Sequence, residues 1–220
     1  STLRQKYPAS KLIGYDLGIF SHCLFNKEPI PEVQLNEQHF GDVRTVMTEL
    51  LKDCNGVVYL AAISNDPMGN AFEKLTDEVN RKSCLTWAIA AKKAGVKSFV
   101  FASSCSVYGF AGDEKKCESD ELNPLTAYAR SKIACEEELE KLVDSNFIVT
   151  SLRFATACGF SPRLRLDLVI NDFVAGAWVN RVIRILSDGT PWRPLIHVAD
   201  MARAMDWALH RSPDKGREFL

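Results

Sequence analysis

The chain has 220 residues, a length that accommodates one large domain or one domain and part of a second. A hydrophobic fraction of 46% is ample for a buried core, and a net charge of −1 argues against a nucleic acid or a membrane surface held by bulk electrostatics. No apolar run approaches the roughly 18 residues of a membrane span, and no signal peptide opens the sequence. The seven cysteines show no metal-binding spacing, so we expect no metal site. We expect the cysteines to be free thiols and the protein to reside in a reducing cytoplasm.

Strand-like and helix-like patterns alternate along the first two thirds of the chain. Short apolar runs predict strands at residues 11–16, 32–35, 56–62, 96–103 and 147–153. Apolar residues at helical spacing predict helices at 43–54, 72–94 and 128–142, the last with Pro124 in its first turn. Such alternation is typical of a doubly wound parallel α/β sheet. In that fold ligands bind beyond the carboxyl ends of the strands, where Asp16, Asp42, Ala62 and Ser104 all lie.

The pattern loosens after Arg153. An apolar helix is predicted at residues 168–179, strands at 182–186 and 195–198, a last helix at 200–210 and a further strand from Glu218. We therefore predict that residues 1–153 form the doubly wound domain. Residues 154–220 form part of a smaller, cap-like region, of which 195–211 packs back on the first domain.

A tyrosine and a lysine stand four residues apart in the helix predicted from residue 128. Residues i and i+4 share a helix face, so the phenol of Tyr128 and the ammonium of Lys132 can meet. A tyrosine with the ordinary pKa of about 10 is a poor base at neutral pH, but a nearby positive charge favours the phenolate. The pair can therefore take and return a proton. Chance also produces such pairs, so this one is informative only within a larger site.

Several further motifs, in a fixed order, build that larger site. They are Gly41-Asp-Val43, Leu60-Ala-Ala62, Val79-Asn80, Phe99-Val-Phe-Ala-Ser-Ser-Cys-Ser-Val-Tyr-Gly109, Tyr128-Ala-Arg-Ser-Lys132, Leu152-Arg-Phe154 and Arg193-Pro-Leu-Ile-His-Val198. Together they resemble the extended short-chain dehydrogenase/reductases, also called the NAD-dependent epimerase/dehydratase family, over essentially the whole chain. The resemblance implies a Rossmann-like NAD-binding domain at 1–153 and part of a substrate-binding region at 154–220.

The resemblance also implies a hydride-transfer site. Tyr128 is the implied general acid/base, Lys132 holds the nicotinamide ribose of NAD and lowers the tyrosine pKa, and Ser104 hydrogen-bonds the reacting oxygen. Asp16 is the implied partner of the adenosine ribose hydroxyls, which favours NAD over its 2′-phosphorylated form. Asn80 is an implied partner of the serine loop. The other implied cofactor contacts line the adenine and the nicotinamide: Asp42, Val43, Leu60, Ala61, Ala62, Ala102 and Ser103.

The implied substrate is a nucleotide sugar, and the implied assembly is a homodimer formed through the 72–94 helix and the Tyr128 helix. Arg193 is the implied ligand of a substrate phosphate. Nucleotide-sugar members often have an asparagine where this chain has Thr156, so we take Thr156, Arg163, Arg165 and Asn171 as candidate substrate contacts. The last three could equally form a basic loop and a helix cap.

The phosphate cradle of the family is missing from the sequence. Members open with a strand and a Gly-x-x-Gly-x-x-Gly turn that holds the cofactor pyrophosphate at a helix N-terminus, and Gly14 and Gly18 are not so placed. The chain enters at the end of the helix that normally follows that turn, and its last strand runs off the end. We therefore expect a fragment of a larger protein that by itself binds NAD weakly or not at all.

The residues after Ser104 separate the reaction types. Sugar 4,6-dehydratases carry an Asp-Glu pair there for water elimination, whereas this chain has Cys105 and Ser106. The Ser-x-Ser-Val-Tyr-Gly pattern is closer to UDP-galactose 4-epimerase and its relatives, so we expect an NAD-dependent epimerase or reductase of a nucleotide sugar. Two alternatives stay open: a dehydrogenase of a non-nucleotide substrate, and a dinucleotide-binding protein without turnover.

Overall fold

The computed structural model describes residues 2–20, 22–24, 30–64, 66–110, 114–190 and 192–212. Its strands are β1 (Ile13–Asp16), β2 (Glu37–Phe40), β3 (Gly56–Tyr59), β4 (Ser98–Ser104), β5 (Ile148–Phe154), β6 (Thr156–Cys158) and β7 (Leu195–His197). Its α-helices are α1 (Thr2–Lys6), α2 (Asp66–Ala71), α3 (Glu73–Thr76), α4 (Ser83–Lys93), α5 (Ala127–Glu140), α6 (Val169–Asn180) and α7 (Val198–His210). Short 3-10 turns lie at Pro31–Gln34, Thr48–Leu51 and Cys105–Tyr108, and Asp77–Lys82 forms a π-helix.

The strands pair in parallel, which confirms the predicted Rossmann-like α/β fold. β3, β4 and β5 form one sheet in that order, β1 pairs with β2, and β6 pairs with β7. Parallel neighbours need long crossovers, and helices supply them here. Within the described residues β1 and β3 each pair with a strand on one edge alone. The carboxyl ends of β3, β4 and β5 consequently lie along one edge of their sheet.

Both faces of the three-stranded sheet are covered by helices. Successive strand residues point to opposite faces, so Phe99 and Phe101 pack with Ala88 of α4 and Leu139 of α5. Val100 points the other way and packs with Leu152 and Ala208. Helix α7 thus lies against the sheet, where the Ser98 hydroxyl donates to the Ala208 carbonyl at 3.2 Å. The predicted domain boundary at residue 153 stays a prediction.

Two predictions for the first half of the chain are wrong. The predicted strand at 32–35 is a 3-10 turn, because Pro31 has no N–H for a sheet and favours the first position of a helical turn; the strand lies at Glu37–Phe40 instead. The predicted helix at 43–54 reduces to the 3-10 turn Thr48–Leu51. There the Val43 carbonyl accepts a hydrogen bond from the Trp87 indole at 2.7 Å, and Asp42 forms a turn with the Arg44 N–H at 2.9 Å.

Three further elements differ from prediction. The helix predicted at 72–94 is divided into α3, the π-helix and α4. The helix predicted to include Pro124 begins at Ala127, because the Thr126 hydroxyl caps it by accepting from the Ala129 N–H at 3.1 Å. Residues 182–186 form no strand with any described segment, although their apolar pattern alternates. The strand predicted from Glu218 lies outside the described residues.

Gly109 closes the loop that follows β4. Its φ is +64°, and a Cβ added there would lie 2.0 Å from the Asn123 carbonyl oxygen. The Asn123 N–H in turn donates to the Val107 carbonyl at 3.0 Å. A side chain at Gly109 would therefore both strain the backbone and separate these two segments.

Replacing Thr126 with alanine should lower the free energy of unfolding by about 1 kcal/mol, because the cap of α5 is lost. Urea denaturation measures this change. Thr126→Ser keeps the capping oxygen and should be close to wild type. Thr86→Ala, which removes an exposed mid-helix hydroxyl bonded to the Lys82 carbonyl, should cost nothing. A loss at Thr86 equal to that at Thr126 would contradict the capping role.

Candidate functional site

Helix α5 brings Tyr128 and Lys132 together at the carboxyl end of β4. The Lys132 ammonium donates to the Ala102 carbonyl at 2.7 Å and lies 5.4 Å from the centre of the Tyr128 ring. It also lies 4.6 Å from the centre of the Phe101 ring. Lys132 is 2% exposed, whereas Tyr128 is half-buried. The structure therefore holds a buried cation beside a tyrosine that remains partly accessible.

The buried position of Lys132 makes its charge costly. Burial lowers the pKa of the Lys132 ammonium, while Cys135, Cys84 and the carboxylate of Glu136 act in the opposite direction. The Ala102 carbonyl and the two aromatic faces partly replace the lost water. A cation kept under these conditions has a strong electrostatic effect on its neighbours, because little solvent screens it.

Ser104 ends β4 and begins the 3-10 turn Cys105–Tyr108. Its hydroxyl oxygen accepts hydrogen bonds from the N–H and the hydroxyl of Ser106, at 3.2 and 2.9 Å. Since both bonds are accepted, the Ser104 O–H can still donate to an oxygen outside. Sequence reasoning missed this role of Ser106, although the Ser-x-Ser spacing was visible in the motif.

Asn80, in the π-helix, joins the loop after β3 to α5. Its side-chain oxygen accepts from the Ile63 N–H at 2.7 Å, and its amide donates to the Ile63 carbonyl and to the Ser131 hydroxyl, each at 3.1 Å. Ser131 donates to the Tyr128 carbonyl at 2.7 Å. Asn80 is buried and thus fixes the loop after β3 against the helix that carries Tyr128. π-Helical segments often occur at functional sites because they redirect a side chain.

The predicted adenosine contacts lie after β1 and β2. Asp16 is exposed at the end of β1, and one of its oxygens accepts from the Gly18 N–H at 2.6 Å. Asp42 is engaged by Arg44, which donates to both carboxylate oxygens at 2.6 to 3.1 Å. This guanidinium keeps the pKa of Asp42 low. Val43 is half-buried beside Asp42.

The remaining predicted cofactor contacts lie at the carboxyl ends of β3 and β4. Leu60 is 56% exposed directly after β3, and Ala61 and Ala62 follow it half-buried. Ala102 is half-buried on β4, and Ser103 is buried with its hydroxyl bonded to Glu136. These small side chains leave room along the sheet edge, where a flat ligand could approach the backbone.

The predicted substrate contacts divide into two groups. Thr156 lies opposite Leu195 in the β6–β7 pair, and so within a few residues of the exposed Arg193. The Arg193 charge lies close enough to Cys105 to favour its thiolate, although burial raises the pKa of that thiol overall. Arg193 therefore approaches the Ser104 loop, and Thr156 lies on the strand that pairs with the segment after Arg193.

The other predicted substrate contacts make internal bonds. Arg163 pairs with Glu32 at 2.8 Å and donates to the Phe20 carbonyl at 3.2 Å. Arg165 pairs with Asp167 at 2.6 Å and donates to the Ser64 hydroxyl at 3.0 Å. Asn171 is buried, and its amide donates to the Arg165 carbonyl at 3.0 Å. In the described structure Arg163 and Arg165 tie their loop to segments following β1 and β3.

The described side chains are better suited to the two ribose groups of NAD than to its adenine. The Lys132 ammonium has three donors, and the described bond to Ala102 uses one of them. The exposed Asp16 carboxylate is suited to ribose hydroxyls. The Asp42 carboxylate must first release the Arg44 guanidinium before it could bind the adenine base.

The described residues also bear on metal binding and on membrane insertion. Groups of three or more histidine, cysteine or acidic side chains that could hold a metal ion do not occur there. The same residues contain no helix with the length and apolar content needed to cross a bilayer.

Replacing Lys132 with methionine should leave the protein folded with an equal or higher urea midpoint at neutral pH. The reason is that the folded chain no longer carries a buried ammonium whose pKa is lowered. The unfolded chain binds more protons between the lowered pKa and 10.5, so the cost of Lys132 falls as pH rises through that window. The advantage of the variant should therefore shrink toward pH 10.5. A lower midpoint at neutral pH would contradict this assignment.

Known proteins resemble this chain over most of its length. The profile of the NAD dependent epimerase/dehydratase family matches residues 5–219. Low-salt glycan biosynthesis protein Agl12 of Haloferax volcanii is 26% identical over 181 residues, which are 81% of this chain and 58% of that protein. UDP-glucose 4-epimerase of Rhizobium meliloti is 31% identical over 144 residues, 57% of this chain and 44% of that enzyme.

A solved structure shows the same fold. MoeE5 in complex with UDP-glucose and NAD aligns with a TM-score of 0.79 at 26% identity, over 98% of this chain and 68% of that chain. The chain thus spans about half the length of the two curated relatives. Because the family profile covers nearly all of its residues, the chain belongs to the NAD-dependent epimerase/dehydratase family of extended short-chain dehydrogenase/reductases.

Proposed function

We propose that this chain carries the catalytic groups of an NAD-dependent epimerase acting on a nucleotide sugar, of the 4-epimerase kind. The observation that carries the proposal is the buried Lys132 ammonium, held by the Ala102 carbonyl beside the Tyr128 ring. The Ser104 hydroxyl ends the same strand and can donate. The UDP-glucose 4-epimerase of Rhizobium meliloti and MoeE5 with UDP-glucose and NAD support this choice of substrate and cofactor.

NAD, when bound, supplies the acceptor of a hydride from the sugar and later the donor that returns it. Asp16 would hold the adenosine ribose, and Lys132 the nicotinamide ribose. Val43 with Asp42 would lie beside the adenine, once Arg44 has moved from the carboxylate. The cofactor would lie along the small side chains that follow β3 and end β4: Ala61, Ala62, Ala102 and Ser103, with Leu60 at the rim and Asn80 behind.

The chain's own residues would move the proton. Tyr128 accepts the proton of the reacting hydroxyl and returns it after the sugar has been re-reduced on its other face. The Lys132 charge favours the phenolate in this step. Ser104 donates a hydrogen bond to the reacting oxygen, where negative charge develops, and Ser106 orients it by occupying its acceptor positions.

The nucleotide and sugar would bind between the Ser104 loop and the segment after β5. Arg193 approaches that loop, is exposed and is suited to a diphosphate, and Thr156 lies on the strand that pairs with the segment after Arg193. The side of this site away from the Ser104 loop would be shaped by Arg163, Arg165 and Asn171. They bond to Glu32, Ser64 and the Arg165 carbonyl, respectively. Their roles rest on this placement.

We also propose a cytoplasmic homodimer formed through the helical residues 72–94 and α5. Leu75 and Ile89 are each 36% exposed on the helical segments 73–93, and Ile133 of α5 is half-buried. The described cysteines form no disulfide, which suits a reducing compartment.

Replacing Tyr128 with phenylalanine should reduce turnover by about a hundredfold or more, because the proton acceptor is lost. Because the sequence lacks the phosphate cradle, turnover is measured on protein extended ahead of Ser1 by a strand and a Gly-x-x-Gly-x-x-Gly turn. NAD is in excess, UDP-, dTDP- and GDP-sugars are added in turn, and NMR identifies the product. Ser104→Ala should reduce kcat by about a hundredfold with a smaller effect on KM. Tyr7→Phe, which alters a ring stacked on His210, is the control and should be active. Unchanged turnover in Tyr128→Phe would refute the mechanism.

Replacing Asp16 with asparagine should weaken NAD binding about tenfold. It should also reduce the preference of the protein for NAD over the 2′-phosphorylated cofactor. The substitution removes both an acceptor of ribose hydroxyls and a charge that repels phosphate. Titration of the same extended protein with the two cofactors measures the preference. Asp42→Asn is the contrast, because Arg44 already neutralises that carboxylate; both affinities should change alike. An unaltered preference in Asp16→Asn would overturn the assignment.

A further inference from the structure

A buried ion pair lies behind the catalytic residues. Arg153 of β5 donates from Nε and Nη2 to the two oxygens of Glu136, at 2.6 to 3.1 Å. The side chains of Arg153 and Glu136 are 7% and 5% exposed. This geometry uses the planar fork of the guanidinium, which a lysine cannot reproduce.

The pair connects α5 and β5 to three further segments. Glu136 accepts a short hydrogen bond from the hydroxyl of Ser103, the residue before Ser104. Arg153 Nη1 donates to the Tyr108 hydroxyl at 2.9 Å and to the Glu118 carbonyl at 3.1 Å. The guanidinium carbon also lies 5.3 Å from the centre of the Tyr108 ring. The two ends of the Ser104 turn are therefore both attached to one ion pair.

Glu136 lies on the same face of α5 as the catalytic residues. Tyr128, Lys132 and Glu136 follow one another at four-residue spacing, so their side chains form a row along the helix. The bond from Ser103 to Glu136 consequently fixes the end of β4 against that row. A small shift between the two would change the distance from Ser104 to Tyr128.

Stability gives a weak reason for such a pair. The desolvation of two buried charges can exceed their attraction, and replacement by apolar side chains of similar size is often neutral or stabilising. The matched geometry and the attached loop point instead to the alignment of the site.

We propose that Glu136 and Arg153 are positioning residues that hold Ser104 in register with Tyr128 and Lys132. This inference rests on the proposed function of these three residues. Glu136 and Arg153 touch neither the reacting atoms nor the cofactor in this assignment; they act through Ser103, Tyr108 and the backbone of α5.

The test compares two neutralised glutamates of α5. Glu136→Gln should lower kcat about ten- to a hundredfold while KM for the nucleotide sugar changes less than about twofold, because misplacement affects the reacting geometry more than binding. Glu138→Gln is the matched control, since Glu138 pairs at 2.9 Å with Arg81 of the π-helix and not with the Ser104 turn. It should keep the wild-type kcat. Wild-type kcat in Glu136→Gln, or a loss that only follows the unfolded fraction measured by circular dichroism, would overturn the proposal.

A double variant covers the case in which Glu136→Gln fails to fold. Glu136→Met with Arg153→Met removes both charges and is expected to fold. It should remain slow, because the Ser103 and Tyr108 hydroxyls lose their common anchor. Wild-type kcat in the folded double variant would refute the positioning role.

Fluorine NMR of protein labelled with fluorotyrosine separates this inference from the proposed function. Tyr128→Phe assigns the Tyr128 resonance without reference to turnover. Glu136→Gln should shift or broaden this resonance, while the resonances of Tyr7, Tyr15 and Tyr59 stay in place and Glu138→Gln has no effect. An unmoved Tyr128 resonance refutes positioning. A moved resonance together with no turnover of the extended protein on any sugar supports positioning and refutes the proposed function.

Discussion

The burial of one ammonium group determines how this site is built. Lys132 has almost no contact with water, so its charge requires acceptors and polarisable faces from the protein. The Ala102 carbonyl supplies one, at the point where β4 is about to end, and the rings of Phe101 and Tyr128 supply the others. Helix α5 can meet this requirement only when it lies across the carboxyl end of β4. The packing of helix on sheet and the chemistry of the site are therefore one constraint.

Polar groups around this cation are arranged in successive layers. Asn80 and Ser131 hold the backbone of α5 from one side, and the Glu136–Arg153 pair holds it from the other. Each group has partners from a different segment of the chain, so the site is fixed from several directions. Such networks favour a single arrangement, because a buried polar group that loses its partner carries a large desolvation penalty. The half-buried Tyr128 stands at the open end of this arrangement.

Local spacing was enough to predict the central groups, and tertiary bonds explain the failures. Tyr128 and Lys132 meet because the geometry of a helix is the same in every protein. Glu136 and Arg153 lie on different elements, and their pairing follows from how α5 packs on β5, which no local pattern encodes. The helix predicted at 43–54 fails for the same reason, since the Trp87 indole takes a carbonyl that this helix would need.

Tertiary partners also decide whether an alternating pattern becomes a strand. Residues 182–186 have the alternation of a strand, yet they pair with no described strand. The short β6 and β7 show the opposite case, because three residues each suffice once a parallel neighbour is present. Strand propensity expresses fit to a sheet more than a preference of the backbone itself.

The Tyr-Gly ending of the Ser104 motif contains two residues that are selected for different reasons. Tyr108 receives a hydrogen bond from Arg153, so its hydroxyl has a chemical partner. Gly109 is required because the chain returns at Asn123 with no space for a Cβ. A motif search that gives Tyr108 and Gly109 equal weight therefore combines a residue required for its hydrogen bond with one required for lack of space. Among distant homologues, a change at position 109 would report a redrawn loop, whereas loss of the hydroxyl at position 104 would remove a hydrogen-bond donor of the proposed site.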